Sequence, residues 1–309
     1  MKKLLKIVGI IIVVLIVLSL LFGGSDDSSK KEITDTQEAS VSEETPSAPE
    51  KKETVKEETP AKASITIDEQ VLFEKDGFKV TAKEYEQGGF WGDGIKLLLE
   101  NDSTKDIGLS CSALIVNDYM ITDLFSQTVA AGKKSNETLD LYSSALNAAG
   151  IENVGKIEIY FHTFDPESYM TIDEIDPIEI HTSAYDKMDT TPNDSGKELF
   201  NDRGVRIVGK YVDESSFWGA AVLLYIENNS GSTKIIQCDD MSINGFMVTP
   251  YFSSTVYDGK KAISDITLLS SELEENGITS VDEIELKFKL IEENFMDSYE
   301  TDTITFSAK

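Results

Sequence analysis

The chain has 309 residues, of which 56 are acidic and 28 are basic, giving a formal net charge of −28 at pH 7. This charge excludes general nucleic-acid binding, because the phosphates would be repelled. Two cysteines exclude a disulfide-stapled scaffold and a cysteine-rich zinc protein, and two histidines leave little room for histidine-based metal or acid–base chemistry.

The N-terminus predicts a membrane anchor. Lys2, Lys3 and Lys6 precede an uncharged aliphatic run over residues 7–22. With its flanks, this run comes close to the length that crosses a hydrocarbon core of about 30 Å. The preceding lysines favour an orientation with the rest of the chain outside the cytoplasm. We expect a single-pass, uncleaved signal anchor over 1–23; a cleaved signal peptide is the alternative, although the residues at its −3 position would be large.

Residues 24–64 have the composition of a disordered linker. They are rich in Ser, Thr, Glu, Lys and Pro and contain no aromatic residue. Such a segment cannot bury enough apolar area to offset its conformational entropy. We expect an acidic spacer that holds the folded part away from the membrane.

The remaining chain contains one sequence twice, at an offset of 127 positions. The matching segments include Leu72-Phe73 and Leu199-Phe200, Phe90-Trp91-Gly92 and Phe217-Trp218-Gly219, Glu100-Asn101 and Glu227-Asn228, Cys111 and Cys238, Asn117 and Asn244, and Gly132-Lys133-Lys134 and Gly259-Lys260-Lys261. Two copies of roughly 115 residues indicate tandem domains rather than a solenoid. We expect a first domain over 65–184, an interdomain linker over 185–196 and a second domain over 197–309.

Each copy alternates apolar and polar residues, as strands with one buried face do. Phe78 and Val80 alternate with lysine and threonine, and Asn244-Gly245 supplies the residues of a type I′ hairpin turn. One short helix interrupts each copy, and we expect Ser271 as the N-cap of the second. These features predict an all-β fold of two tandem immunoglobulin-like β-sandwich domains with one short helix each.

Four motifs common to both copies resemble those of one family. The Phe-Trp-Gly segment, the strand ending in Glu-Asn, the Asn-Asp-Tyr-Met or Asn-Gly-Phe-Met turn, and Gly-Lys-Lys are together similar to an immunoglobulin-like extracytoplasmic domain. That domain occurs in membrane-anchored proteins and lipoproteins of low-GC Gram-positive bacteria. The resemblance covers roughly residues 70–182 and 197–307. It implies the sandwich fold and a location outside the membrane, and it carries over no activity or ligand.

The two Phe-Trp segments are candidate ligand-binding residues. Phe90 and Trp91 lie in a glycine-rich loop between predicted strands, and Phe217 and Trp218 occupy the same position in the second copy. An exposed tryptophan at a hairpin tip can stack on a sugar or grip a protein partner. The alternative is that each tryptophan covers the open end of its own sandwich.

An acidic loop of the first copy is a candidate calcium site. Asp165, Asp173 and Asp176 supply carboxylates, the oxygen ligands that calcium takes. The loop lacks EF-hand spacing, and a solvated acidic face is the alternative. We expect no other metal and no cofactor.

The other reactive side chains indicate no catalytic site. His162 and His181 have no counterpart in the second copy, and the chain contains no nucleophile elbow, zinc-protease motif or P-loop. We interpret both histidines as surface residues and Cys111 and Cys238 as buried free thiols.

A tethered, duplicated chain without catalytic motifs is typical of a binder, since linked modules gain avidity. We therefore predict a non-enzymatic binding or scaffolding protein of the cell envelope. Its expected partners are the membrane, through the N-terminal helix, and a cell-wall polymer or an envelope protein. A calcium-dependent adhesion or sensing module and a wall-active hydrolase are the alternatives.

Overall fold

The computed structural model describes residues 64–307, which belong to one compact unit. The predicted anchor over 1–23 and the predicted linker over 24–64, apart from its last residue, lie outside the described residues. Within the described part, no helix combines the length and the apolar character needed to cross a bilayer.

In the described part of the chain, the first repeat forms ten strands and one α-helix. The strands are β1 (Gln70–Lys75), β2 (Phe78–Glu86), β3 (Gly92–Asn101), β4 (Ile107–Val116), β5 (Tyr119–Ile121), β6 (Ser126–Val129), β7 (Lys133–Tyr142), β8 (Lys156–Phe164), β9 (Thr171–Glu174) and β10 (Ile178–His181). The helix α1 (Ser143–Ala149) lies between β7 and β8. A short 3₁₀ turn, Tyr185–Lys187, follows the last strand.

The second repeat has the same order of elements. The strands are β11 (Lys197–Asp202), β12 (Val205–Ser216), β13 (Gly219–Asn228), β14 (Lys234–Ile243), β15 (Phe246–Met247), β16 (Ser253–Val256), β17 (Lys260–Leu269), β18 (Glu283–Glu292), β19 (Ser298–Glu300) and β20 (Ile304–Ser307). The helix α2 (Ser270–Glu275) lies between β17 and β18, as α1 does between β7 and β8.

These strands form three sheets, which confirms the predicted all-β fold with sandwich-like sheets. An outer sheet has the order β1-β2-β3-β7, and the other outer sheet has the order β15-β14-β18-β19, with β16 beside β14 and β20 beside β18. The central sheet has the order β10-β8-β4-β5-β17-β13-β12-β11, with β6 beside β4 and β9 beside β8. Each outer sheet encloses one apolar core against the central sheet.

Strand alternation produces these cores. In β3, Ile95, Leu97 and Leu99 are buried, whereas Lys96 between them is half-buried. Successive side chains of a strand point to opposite faces, so one face of β3 packs into the core and the other faces outward. The predicted pattern of alternating residues is therefore realised in the sheet.

The central sheet is continuous because a strand of the first repeat pairs with a strand of the second. The parallel pairing of β5 with β17 places Tyr119, Met120 and Ile121 opposite Lys261, Ala262 and Ile263. The ammonium of Lys261 lies 4.8 Å from the ring centroid of Tyr119, and Lys260 pairs with Glu158 at 3.4 Å. The Gly-Lys-Lys segment of the second repeat thus helps to join the two repeats.

An apolar face of the second repeat also packs on the first. Val208, Leu223 and Ile263 are buried in the core that lies mainly within the first repeat. The residues at the equivalent positions of the first repeat are polar: Thr81, Lys96 and Asn136. The second copy is therefore apolar at three strand positions where the first copy is polar. Burial of these apolar side chains against the first repeat stabilises the junction.

The predicted hairpin turn is confirmed. Asn244 and Gly245 have φ values of 50° and 83°, and Asn117 and Asp118 at the equivalent turn have 47° and 67°. Two successive residues with positive φ are the mark of a type I′ turn, whose twist matches that of the flanking strands.

The predicted helix cap is wrong. The helix α2 begins at Ser270, and no side chain caps it, so Ser271 lies inside the first turn. The N–H of Ser270 donates instead to the carbonyl oxygen of Trp218 at 2.8 Å, and the N–H of Ser143 donates to that of Trp91 at 3.0 Å. Each helix start is thus tied to the Phe-Trp loop of its own repeat.

Candidate functional site

The two Phe-Trp segments, which are far apart in sequence, meet in the structure. Phe90 and Trp91 end the connection between β2 and β3, and Phe217 and Trp218 form the connection between β12 and β13. The ring centroids of Trp91 and Phe217 lie 4.9 Å apart, and those of Phe90 and Phe217 lie 6.4 Å apart. We call these four residues the aromatic cluster. Each repeat contributes half of it.

The rings of the aromatic cluster meet edge to face. The ring planes of Phe90 and Trp91 make an angle of 85°, with their centroids 4.8 Å apart. Those of Phe217 and Trp218 make an angle of 89°, with their centroids 4.9 Å apart. This geometry brings the positive edge of one ring to the negative face of the next and contributes about 1 kcal/mol per pair. Tyr142 adds a further contact to Trp91, at 6.0 Å. The rings thus hold one another in place.

The phenylalanines supply most of the exposed apolar surface of the cluster. Phe90 is 82% exposed and Phe217 is 59% exposed, whereas Trp91 and Trp218 are half-buried. The tryptophans therefore support the surface, and the phenylalanines form its outer part. Adjoining exposed rings of this kind are typical of an interaction surface.

A glycine after each tryptophan allows the loop to approach the next strand. Gly92 and Gly219 have φ values of 134° and 147°. A Cβ on Gly219 would lie 2.3 Å from the carbonyl oxygen of Leu268, and one on Gly92 would lie 2.7 Å from that of Leu141. Only glycine fits such an approach, so the third residue of Phe-Trp-Gly fixes the loop backbone.

A carboxylate braces the loop of the first repeat. Asp93 accepts hydrogen bonds from the hydroxyl of Tyr85 at 2.7 Å and from the N–H of Gly88 at 3.0 Å. Burial and the adjacent carboxylate raise the pKa of the Tyr85 hydroxyl above its usual range, so this group stays protonated and donates. Asp93 thereby ties the glycine-rich part of the loop to β2.

Asp165, the first of the predicted calcium ligands, closes a turn. One of its carboxylate oxygens accepts the N–H groups of Glu167 and Ser168, both at 2.9 Å. These hydrogen bonds hold the pKa of Asp165 below its usual range. The carboxylate has a local structural role.

The other two predicted ligands lie near a lysine. Asp173 forms an ion pair with Lys75, and the charge of Asp176 also acts on that lysine. Within residues 64–307, no three histidine, cysteine or acidic side chains are grouped in a way that could hold a metal ion. Calcium binding at these three aspartates stays a prediction, and their arrangement does not favour it.

The two histidines lie at opposite ends of β8. His162 is part of this strand and contacts the hydroxyl of Ser112 at 2.7 Å, whereas His181 lies opposite Lys156. The two positions are six residue steps apart along β8, a distance of about 20 Å. The exposed His181 pairs with Glu179. The histidines therefore belong to no common site.

Both cysteines have free thiols, one buried and one half-buried. Cys238 is buried, as predicted, but Cys111 is only half-buried. Burial raises the pKa of the Cys238 thiol to about 12 and raises that of Cys111 further. Thiols with a raised pKa are poor nucleophiles at neutral pH.

A carboxylate beside Cys111 should make stability depend on pH. Burial raises the pKa of Asp123 from 3.8 to about 6, although the N–H of Phe125 and the Cys111 thiol act in the opposite direction. Between these two values the folded chain binds more protons than the unfolded chain, so stability falls as the pH rises from about 4 to above 6. We expect Asp123→Asn to unfold at higher urea concentration than the native chain at pH 8, with a gain of about 2 kcal/mol, and to match it at pH 4.

The matched control is Asp106→Asn, since this exposed carboxylate also accepts a backbone N–H, that of Ala131 at 2.9 Å. We expect Asp106→Asn to change the free energy of unfolding by about 0.5 kcal/mol or less, as substitutions of exposed side chains do. A gain from Asp123→Asn that is equal at pH 4 and pH 8 would contradict the assignment.

Comparison with known proteins identifies no family: no protein-family model and no curated protein matches the chain. Among solved structures, the Salmonella enterica SafA pilin in complex with the SafB chaperone is similar at 12% identity and a TM-score of 0.24, over 76% of this chain and 98% of that chain. The Amycolatopsis orientalis exo-chitosanase CsxA is similar at 12% identity and a TM-score of 0.24, over 75% of this chain and 26% of that chain. Red sea bream transglutaminase is similar at 10% identity and a TM-score of 0.18, over 77% of this chain and 31% of that chain. Similarities at these TM-scores carry no argument about function.

Proposed function

We propose that the chain is a membrane-tethered, non-enzymatic binding or scaffolding protein of the cell envelope, with two tandem immunoglobulin-like domains outside the cytoplasm. Its binding surface is the aromatic cluster, and its partner is a component of the envelope. The N-terminal anchor and the acidic spacer hold this surface above the membrane.

One observation carries the proposal: the Phe-Trp loops of both repeats converge, and their phenylalanines remain exposed. Phe90 and Phe217 lie within contact of each other although neither is needed to fill a core. The exposed area of a ring costs solvation free energy, so two adjoining exposed rings are better explained by a partner. Aromatic residues are also the side chains that most often dominate binding energy in interfaces.

The double variant Phe90→Ser, Phe217→Ser tests the proposal. We expect it to lose about tenfold or more of its retention on isolated Gram-positive cell envelopes, because truncating a central aromatic contact costs at least about 1.4 kcal/mol of binding. Because both phenylalanines also pack edge to face within the cluster, we expect the variant to unfold at a lower urea concentration than the native chain, and its retention is measured where circular dichroism shows that it is folded. Sedimentation of the purified chain with the envelopes measures the retention.

The matched control is Leu124→Ser, Met296→Ser, which removes two other apolar side chains that are 69% and 83% exposed. We expect this control to be retained like the native chain. Equal retention of the native chain and of the Phe90→Ser, Phe217→Ser variant would sink the proposal.

A further inference from the structure

The aromatic cluster is surrounded by carboxylates. Glu86 and Asp93 flank the loop of the first repeat, and the carboxylate of Glu86 lies next to Gly89, beside Phe90. Asp140 lies in the same row across the sheet, since Glu86 pairs with Gly94 and Gly94 pairs with Asp140. The cluster therefore has a border of three carboxylates and one lysine on the side of the first repeat, since Lys96 pairs with Glu86 at 2.6 Å, and this border is negative on balance.

The second repeat extends this border. Asp213 and Glu214 lie near the end of β12, the strand that leads into Phe217. Asp213 accepts hydrogen bonds from the N–H and the hydroxyl of Ser215, which keep its carboxylate in the hairpin. Carboxylates thus lie on both hairpins that carry the aromatic rings.

These charges decide which ligands the aromatic cluster can accept. The whole chain has a net charge of −28, which repels anions and raises the local concentration of cations. Wall phosphates and anionic lipid headgroups are therefore unfavourable ligands. A cation gains twice, because it is attracted both by the carboxylates and by the negative face of an aromatic ring. The ring of Phe90, 82% exposed, has an open face for it.

At the junction between the repeats, lysines already contact both an aromatic ring and a carboxylate. There the adjacent Lys260 and Lys261 are held by the carboxylate of Glu158 and by the ring of Tyr119. A pair of lysines in an extended strand thus fits one aromatic ring and one carboxylate in this chain. The aromatic cluster offers the same two groups, and among residues 64–307 no lysine ammonium or arginine guanidinium lies over its rings.

We propose that the aromatic cluster binds a lysine- or arginine-rich segment of a partner protein, with its cationic side chains over the rings of Phe90 and Phe217 and against the carboxylates around them. This inference rests on the proposed function and names the chemistry of the partner. A neutral polysaccharide would use the rings but not the carboxylates, which is why the charge pattern favours the basic segment.

The fluorescence of tryptophan reports on this site directly, because the two tryptophans of the chain are both in the aromatic cluster. The experiment titrates the full chain, in detergent, with an octalysine peptide and follows the emission. We expect a saturable change that weakens at least fivefold between 50 and 300 mM salt, as screening of an ionic contact requires. Octalysine acetylated on every Nζ has the same backbone and no side-chain charge, and we expect it to leave the emission unchanged.

Variants separate binding at the cluster from general attraction to an acidic chain. We expect Phe90→Ser, Phe217→Ser to weaken the octalysine-induced change at least tenfold and the control Leu124→Ser, Met296→Ser to leave it intact. Asp213→Asn, which keeps an acceptor for Ser215, should weaken it two- to fivefold. Octalysine binding that is indifferent to Phe90→Ser, Phe217→Ser would overturn the inference, since charge alone would then account for it.

Other probes distinguish the remaining outcomes. An emission change caused by a neutral chitotetraose and not by octalysine would overturn the inference in favour of a carbohydrate, and no change with any probe would overturn it as well. Failure of the proposed function is distinct, because it appears as envelope retention that does not depend on Phe90 and Phe217. Retention that depends on them without any response to octalysine would refute the basic ligand alone.

Discussion

Replacing Gly219 by alanine should lower the free energy of unfolding by about 4 kcal/mol. The residue has a φ of 147°, and a Cβ would lie 2.3 Å from the carbonyl oxygen of Leu268 and 2.4 Å from the nitrogen of Ser270. Both neighbours are backbone atoms, so neither can rotate away. The strained conformation costs about 2 kcal/mol and the overpacking costs a similar amount. Urea unfolding of the variant and of the native chain measures the difference.

The control for this prediction is Gly259→Ala. Gly259 also has a positive φ, 73°, but nothing lies within 4 Å of the position that its Cβ would take. We expect a loss of about 1 kcal/mol, the cost of the left-handed conformation alone. Equal losses for Gly219→Ala and Gly259→Ala would contradict the close approach of Gly219 to the backbone of Leu268 and Ser270.

Replacing Asn228 by alanine should cost about 3 kcal/mol of stability. The amide of this buried residue donates to the carbonyl oxygens of Ser232 and Val256, at 2.9 and 2.8 Å, and its oxygen accepts from the N–H and the hydroxyl of Ser230, at 3.1 and 2.7 Å. Alanine leaves these buried groups without a hydrogen-bond partner, and each then costs its desolvation free energy. Thermal and urea unfolding measure the loss.

The neighbouring Asn229→Ala is the matched control for this prediction. Asn229 is exposed, and its amide donates only to the carboxylate of Glu227 at 2.9 Å, so we expect a change of about 0.5 kcal/mol or less. The first repeat offers a replicate, because Asn101 makes the equivalent bonds to the carbonyl oxygens of Lys105 and Val129. An Asn228→Ala variant as stable as Asn229→Ala would contradict a structural role for this motif.

The identities between the repeats could be found from the sequence, and the structure explains several of them. Asn117 and Asn244 are an example: each begins a type I′ turn, and the carboxamide oxygen of each accepts backbone N–H groups at the start of a distant strand, β8 for Asn117 and β18 for Asn244. The offset in sequence predicted that these residues matter, but it did not predict their role. A side chain that bonds a distant backbone segment leaves no local pattern.

The convergence of the Phe-Trp loops could not be predicted from either repeat alone. It depends on how the repeats pack, and the shared acidity of the two copies gave no sign of attraction between them. The usable signal was a difference between the copies: apolar residues in one copy and polar residues in the other at equivalent strand positions, such as Leu223 and Lys96. Such a difference indicates a face that is buried in one copy only. The helix start was missed for a similar reason, since the carbonyl that meets Ser270 comes from Trp218, at a distance in sequence.

Envelope retention of the single variants Phe90→Ser and Phe217→Ser, compared with that of the double variant, tests most directly whether the two loops form one binding surface. The two rings contact each other and would contact the same partner, so their effects on binding should be coupled. We predict that each single variant loses nearly as much binding free energy as the double variant. Losses that simply add, with each single variant keeping the binding of the other loop, would contradict a shared surface.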